Sequence, residues 1–176
     1  MNLIFKILFL KINYLMRVFK LIILFAFTNF SALFLGSLLM GQGASSSWYM
    51  NLNRAYWEPE GWVFGVAWVT IMICFSIYLA LLVNKTFKNN TDLNFRNLLI
   101  KIYSSHLVLN ILWNYLFFNR KMIEIALIDI VFLTILLFYF LIKYFRIMKY
   151  KSILILPYCM WLIIATSLNM YIVIYN

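Results

Sequence analysis

The sequence predicts an all-α integral membrane protein: a bundle of five transmembrane helices. Three observations carry that expectation. Of its 176 residues, 66% are hydrophobic and 11% charged, whereas a soluble domain is close to half apolar and about a quarter charged. Water offers no way to hide that much apolar surface, so lipid must solvate most of the chain. The sequence also divides into five apolar runs, each near the roughly 20 residues that a helix needs to cross about 30 Å of hydrocarbon. Finally, these runs are continuous, whereas the strands of a membrane barrel alternate apolar and polar over about 10 residues.

The runs can be taken in order. Residues 21–40 carry no charge. Ahead of them, residues 1–16 are apolar with Lys6 and Lys11 interspersed. This stretch reads as an N-terminal extension, either an interfacial helix or sequence upstream of a functional start at Met16, with the five-helix domain occupying 17–176. A signal peptide cleaved near 41–44 fits less well, because its apolar core would exceed the usual length of about 7–15 residues. The second run, 61–84, is uncharged; the third, 102–119, is uncharged but holds His106, Asn110 and Asn114. The fourth, 122–142, is apolar apart from Glu124 and Asp129, and the fifth, 152–175, is uncharged.

Charge between the runs sets an orientation. Lys6, Lys11, Arg17 and Lys20 precede the first run, Lys85, Lys88, Arg96 and Lys101 separate the second from the third, and Lys143, Arg146, Lys149 and Lys151 separate the fourth from the fifth. The two remaining connections hold Arg54, Arg120 and Lys121. Basic and poor connections alternate at every crossing, so the positive-inside rule puts the N-terminus in the cytoplasm and Asn176 on the far side. The formal net charge of +10 therefore reports topology rather than nucleic-acid binding, for which no soluble face remains.

Several chemistries are excluded or poorly supplied. One His and two Cys, both inside apolar runs, make neither a multi-residue metal site nor a disulfide framework. A Gly-rich phosphate loop and a pair of carboxylates on one face are also missing. What stands out is aromatic. Residues 48–68 read WYMNLNRAYWEPEGWVFGVAW, with four Trp residues at a helix entrance. Ser47 is placed to cap a short helix beginning at Trp48, and Pro59 prepares the entry into the second run. Trp48, Tyr56 and Trp57 suit an aromatic belt at headgroup level, but Trp68 lies about two turns into the run, too deep for that role.

The third run sets His106, Asn110 and Trp113 on one face, at i, i+4 and i+7, with Asn114 and Phe117 beside it. Amides in hydrocarbon are costly unless paired, so this face looks inward, either as interhelical glue or as the lining of a cavity that orients a ligand. In the fifth run Tyr158, Trp161, Ala165 and Asn169 share a face, an arrangement that suits helix packing or a flat slot with Ala165 as its floor. Asp129, deep in the fourth run, faces the bundle interior, as a proton carrier or as an acceptor for a neighbouring donor.

At these residues the sequence resembles the TspO/MBR family of tryptophan-rich sensory proteins and mitochondrial translocator proteins, from about residue 20 onward. The family pattern W-Y-x-x-L-x-K-P-x-W-x-P-P, then W-V-F-G-x-x-W, is matched by Trp48, Tyr49, Leu52, Arg54, Trp57 and Pro59, then by Trp62, Val63, Phe64, Gly65 and Trp68. L-N-x-x-W and F-F are matched by Leu109, Asn110, Trp113, Phe117 and Phe118. P-Y-x-x-W and A-T-x-L-N are matched by Pro157, Tyr158, Trp161, Ala165, Thr166, Leu168 and Asn169. Ala55, Glu60 and Val66 stand where the family usually has Pro, and Arg54 where it has Lys. No Lys or Arg follows Tyr171 or Tyr175, so the family's sterol motif at the end of helix five is absent; the loose match at Leu137, Tyr139 and Lys143 carries little weight.

The resemblance implies a five-helix bundle, often dimeric, with a pocket beneath the first connection that takes porphyrin, haem, sterols or benzodiazepine-type compounds. It carries over Tyr49, Trp68, Asn110, Trp161 and Ala165 as pocket residues, to which the loop cation Arg54 and the face-sharing Trp113 are added. Arg54 is suited to a propionate, and aromatic walls suit a flat apolar ring. No obligatory cofactor is expected; the tetrapyrrole is a ligand. A binding protein or sensor is the leading function. The alternatives are a porphyrin or sterol transporter and a Trp-dependent porphyrin-degrading enzyme. Whether the membrane is bacterial or mitochondrial is left open.

The orientation is testable with single Cys residues at positions 89 and 53 in a chain whose Cys74 and Cys159 are replaced by Ala. An impermeant thiol reagent added outside is expected to label 53 and spare 89; the reverse pattern would overturn the topology.

Overall fold

In the computed structural model, which describes residues 3–87 and 93–176, five long helices and one short one account for most of the chain. The helices are α1 (Leu3–Leu39), α2 (Ser47–Met50), α3 (Gly61–Phe87), α4 (Leu93–Asn114), α5 (Ile123–Met148) and α6 (Leu156–Tyr175). Four of the long helices are apolar enough to cross a membrane on composition alone. The fifth, α4, is diluted by Asn94, Arg96, Asn97, Lys101, His106 and Asn110, yet it sits between α1 and α5 as a full member of the bundle. The long helices form a closed ring in the order α1, α3, α6, α5, α4. The α3–α6 seam is the narrowest, and a 3-10 turn over Lys149–Leu154 helps to close it.

Sequence and structure differ in several boundaries. Helix α1 runs unbroken through residues 16 and 17, where the extension was expected to meet the bundle domain. No Gly or Pro interrupts it before Gly36, and from Phe5 onward its first buried side chain is Asn29. At 37 residues it is about 55 Å long, well beyond the roughly 30 Å of a hydrocarbon core. Arg96 and Lys101, read as connection residues, are helical and belong to α4. Lys88 lies outside the described residues. The third run does not stay α-helical to 119: at Tyr115–Asn119 the helix widens to a π turn, with the Arg120 amide bonding the Tyr115 carbonyl at 2.9 Å. The N-cap of α2 is Ser46 rather than Ser47, its Oγ accepting the Tyr49 amide at 3.2 Å.

The core is a ladder of rings and aliphatics. Phe75 meets Tyr78, Tyr103, His106, Phe140 and Tyr158 within 6.5 Å between ring centroids. Three polar nodes built on asparagines join the helices through this apolar interior. Asn29 donates from Nδ2 to Ser76 Oγ (2.9 Å) and accepts from the Tyr103 hydroxyl (2.9 Å), linking α1, α3 and α4. The Tyr158 hydroxyl accepts from Asn110 Nδ2 (2.8 Å) and lies 2.8 Å from His106 Nε2, linking α4 to α6. Asn169 accepts from Trp113 Nε1 (3.0 Å) and donates to the Ile123 carbonyl (3.1 Å), linking α6 to α4 and α5. Gly36 lets α1 approach α4, since a Cβ there would stand 2.9 Å from Asn114 Nδ2.

Asn29 is fully buried and serves two partners at once. Asn29→Ala should lower the stability of the folded chain by about 1–2 kcal/mol, toward the upper end of interhelical polar contacts in membranes. Thermal unfolding in detergent, followed by Trp fluorescence, measures it; an unchanged midpoint would mean that packing and the Thr28–Tyr103 hydroxyl contact (2.6 Å) fix these three helices without Asn29.

Candidate functional site

Residues 41–60 leave α1 through Gly41 and Gly43, both at positive φ, a conformation that glycine adopts without steric cost. They then run over the end of the bundle toward α3. Three attachments hold the segment down. Asn53 and Asn176 grip each other: the Asn53 amide donates to Asn176 Oδ1 (2.9 Å), Asn53 Nδ2 to the Tyr175 carbonyl (3.0 Å), and Asn176 Nδ2 to the Asn53 carbonyl (3.2 Å). Trp57 lays its ring edge-on to Tyr171 at 5.3 Å and donates from Nε1 to Ser167 Oγ at 3.2 Å. Tyr49 packs on Phe117 and Phe118. The segment is thereby tied to α6 on one side and to the π turn on the other.

Beneath it lies a cavity of about 700 Å³, within the usual range for small-molecule sites, roughly 300–1,000 Å³. Its walls come from α1 (Leu33, Ser37), α3 (Phe64, Trp68), α4 with the π turn (Trp113, Phe117, Phe118) and α6 (Ala165, Leu168). The π turn matters here. The extra residue in the turn lets the adjacent Phe117 and Phe118 both face the cavity, and such turns recur at functional sites. Trp113 stacks on Phe117 at 5.1 Å and 15° and is held by its bond to Asn169. Gly61 and Gly65 line the cavity on the α3 side, and a Cβ at either would meet nothing within 4 Å.

Five of the seven residues picked from the sequence meet at this cavity: Tyr49, Arg54, Trp68, Trp113 and Ala165. Asn110 and Trp161 do not line it. Asn110 is one turn too deep, and its amide is engaged with Tyr158. Trp161 is 7% exposed and sits behind Phe64, edge-on at 5.2 Å, so Phe64 takes the lining position. His106 is also outside the lining, in the Tyr158 node and against Phe75. Asp129 is buried, as an acid in a span should be, with its Oδ2 unpartnered among the described residues, but it too is remote from the cavity lining.

The electrostatics of the roof were not foreseen. Arg54 is no free cation: its Nη1 lies 3.0 Å from Glu58 Oε1. The Tyr49 hydroxyl donates to that same oxygen at 2.9 Å, and the Arg54 guanidinium lies 5.4 Å from the Tyr49 ring centroid. Burial, and next the Glu58 carboxylate, hold the Tyr49 phenol well above its ordinary pKa, so it stays a protonated donor through the neutral range. Glu58 was missed because nothing in the loop sequence separates it from Glu60 as a partner except its spacing of four from Arg54, which was the available clue. The roof therefore holds an arginine and a phenol donor, both engaged with one carboxylate oxygen, above an aromatic chamber.

The TspO/MBR family profile matches residues 21–175. The tryptophan-rich sensory protein of Cereibacter sphaeroides is 30% identical over 122 residues, 69% of this chain and 72% of that protein. The tryptophan-rich protein TspO of Archaeoglobus fulgidus is 29% identical over 143 residues, 81% of this chain and 88% of its own length. The human translocator protein is 28% identical over 136 residues, 77% and 78% of the two chains. The matched stretch covers every element that builds the cavity.

The Asn53–Asn176 clamp makes a specific claim about loop dynamics. Asn176→Ala removes both bonds between the Asn176 side chain and the Asn53 backbone. Amide hydrogen exchange at Asn53 should accelerate by about fivefold or more, taking about 1 kcal/mol per net hydrogen bond lost. Peptide-resolved exchange in detergent reads it, and an unchanged rate at 51–57 would show that the Asn53–Tyr175 bond, Trp57 and Tyr49 hold the roof without the Asn176 side chain.

Proposed function

The chain belongs to the TspO/MBR family, and from that premise we propose that it is a membrane-embedded binding protein, or sensor, for tetrapyrroles and other flat hydrophobic ligands. The observation that carries this reading is the shape of the cavity. Trp68, Trp113, Phe117 and Phe118 offer ring surfaces on its walls, while Gly61, Gly65 and Ala165 leave its α3 and α6 sides thin. A porphyrin is flat and apolar on both faces and gains from aromatic contact. Its propionates are anionic, and at the roof one of them competes with Glu58 for Arg54 in a charge-assisted pair.

His106 plays no part in this reading. It is 2% exposed, engaged with Tyr158 and separate from the cavity lining. The ring system, rather than a metal bond to that imidazole, supplies recognition, so metal-free porphyrin and haem should bind alike.

The test is a titration of the purified chain with protoporphyrin IX, read by quenching of Trp fluorescence. Gly65→Leu puts a branched side chain into empty cavity space without meeting a neighbour at its Cβ, and should weaken binding at least tenfold while the fold persists. Trp68→Ala should weaken it by about tenfold, from a lost aromatic contact plus lost burial. His106→Ala should leave the affinity for metal-free porphyrin unchanged wherever the variant stays folded. Wild-type affinity in both Gly65→Leu and Trp68→Ala would mean that the ligand sits elsewhere, and the reading would fail.

A further inference from the structure

At the end of the bundle away from the roof, α5 terminates and the chain turns through Lys149, at φ 52°, into the 3-10 turn that leads to α6. The turn leaves a second concavity, about 620 Å³ and open to the outside. Its apolar stretch is formed by Leu141, Phe145, Ile153 and Leu156, of which Phe145 and Ile153 are more than half exposed. Arg146 and Lys149 line the same groove. Lys151 stands beside it, its Nζ 6.0 Å from the Tyr150 ring centroid.

Two features separate this groove from an ordinary lipid-facing surface. The first concerns its cations. Basic residues at a helix C-terminus often serve the exposed carbonyls and the helix dipole. Here Lys85 of α3 takes a share of that role by donating from Nζ to the Ile147 carbonyl at 2.6 Å. Arg146 and Lys149 are exposed and form no ion pair among the described residues, where the one such pair is Arg54–Glu58. Of the five acids, the four that are described, Glu58, Glu60, Glu124 and Asp129, belong to the roof and to the first half of α5, away from the α5 C-terminus, and Asp92 lies outside the described residues. The second feature is Ser152. It lines the groove, is 3% exposed, and its hydroxyl has no hydrogen-bond partner among the described residues. A buried hydroxyl without a partner is costly, and a ligand oxygen would relieve that cost.

We propose that this groove binds an anionic phospholipid from the surrounding bilayer, with an acyl chain along Phe145, Ile153 and Leu156 and the phosphate at Arg146 and Lys149. The occupant follows from the combination. An apolar trough at a helix end selects an acyl chain, two cations at its rim select a negatively charged headgroup, and the Ser152 hydroxyl is available to a phosphate or ester oxygen. Basic pockets between transmembrane helices are a known means of choosing among lipid headgroups. The site is independent of the cavity beneath the roof and of any ligand held there.

The experiment is native mass spectrometry of the full chain in detergent, titrated in parallel with phosphatidylglycerol and phosphatidylcholine of the same acyl composition. The first phosphatidylglycerol should add at roughly 25-fold lower lipid concentration, since each of the two cations near the headgroup contributes about fivefold. Arg146→Gln with Lys149→Gln should bring phosphatidylglycerol to the level of phosphatidylcholine, whereas Lys11→Gln with Arg17→Gln, an equal loss of charge on α1, should preserve the preference. Soluble glycerophosphoglycerol at the same concentration should add nothing. Equal binding of the two lipids to the wild-type chain would overturn the proposal. So would a preference that survives the groove variant, a preference lost equally in the α1 variant, or headgroup binding without the acyl chains.

Discussion

Lipid donates and accepts no hydrogen bonds in its hydrocarbon region, so polar side chains on these helices are driven to partners inside the bundle. That constraint accounts for most of the arrangement. Asn29, Asn110 and Asn169 are each 4% exposed or less, and each is bonded across a helix–helix seam. Because apolar side chains gain little by leaving lipid for a protein interior, the helices have no strong hydrophobic reason to choose one rotation over another. The amides supply the choice. Asn29 turns α1 toward α3 and α4, Asn110 turns α4 toward α6, and Asn169 joins α6 to α4 and to the start of α5.

Once the helices are rotated in this way, the cavity is a consequence. The Trp113–Asn169 bond and the π turn after Asn114 aim three aromatic rings toward the space under the roof. On the facing side α3 presents glycines, which cannot fill that space, and α6 presents Ala165. The roof itself is fastened by side chains rather than by secondary structure. Its attachments to Tyr175, Asn176, Ser167 and Tyr171 all reach one end of α6, so α6 is both a wall of the chamber and the anchor of its cover. A segment held by a few partly exposed contacts opens at lower free-energy cost than the core beneath it.

The two ends of the bundle differ in charge. The described acids lie in the roof and on the first half of α5, while Arg146, Lys149 and Lys151 gather where α5 meets α6. At the roof, the Arg54–Glu58 pair and the buried Tyr49 phenol share one carboxylate oxygen, so the cation there is already answered. At the other end, Lys85 bonds a terminal carbonyl of α5 while the arginine and lysine of the groove stand unpaired among the described residues. Among the described residues, one end therefore holds a paired charge over the chamber, and the other holds unpaired charge beside an open trough.

The sequence by itself determined the helical bundle, the family and much of the cavity lining, because each has a local signature. Apolar runs of spanning length fix the helices regardless of what they touch. A face such as Tyr158, Trp161, Ala165, Asn169 is set by the 3.6-residue period, and the Trp-rich motifs keep their spacing whatever the packing. Tertiary structure decided what depends on rotation and reach. Trp161 and Phe64 compete for one wall of the cavity, and only the crossing of α3 and α6 puts Phe64 in front. Asn110 reads equally well as lining or as glue until the Tyr158 hydroxyl appears opposite it. The π turn at Tyr115–Asn119 has no residue pattern that announces it, yet it brings Phe117 and Phe118 to the same chamber. The partner of Arg54 was four residues away all along. The spacing made Glu58 a candidate, and a fold of the loop, set by Tyr49 below and by α6 alongside, made it the partner.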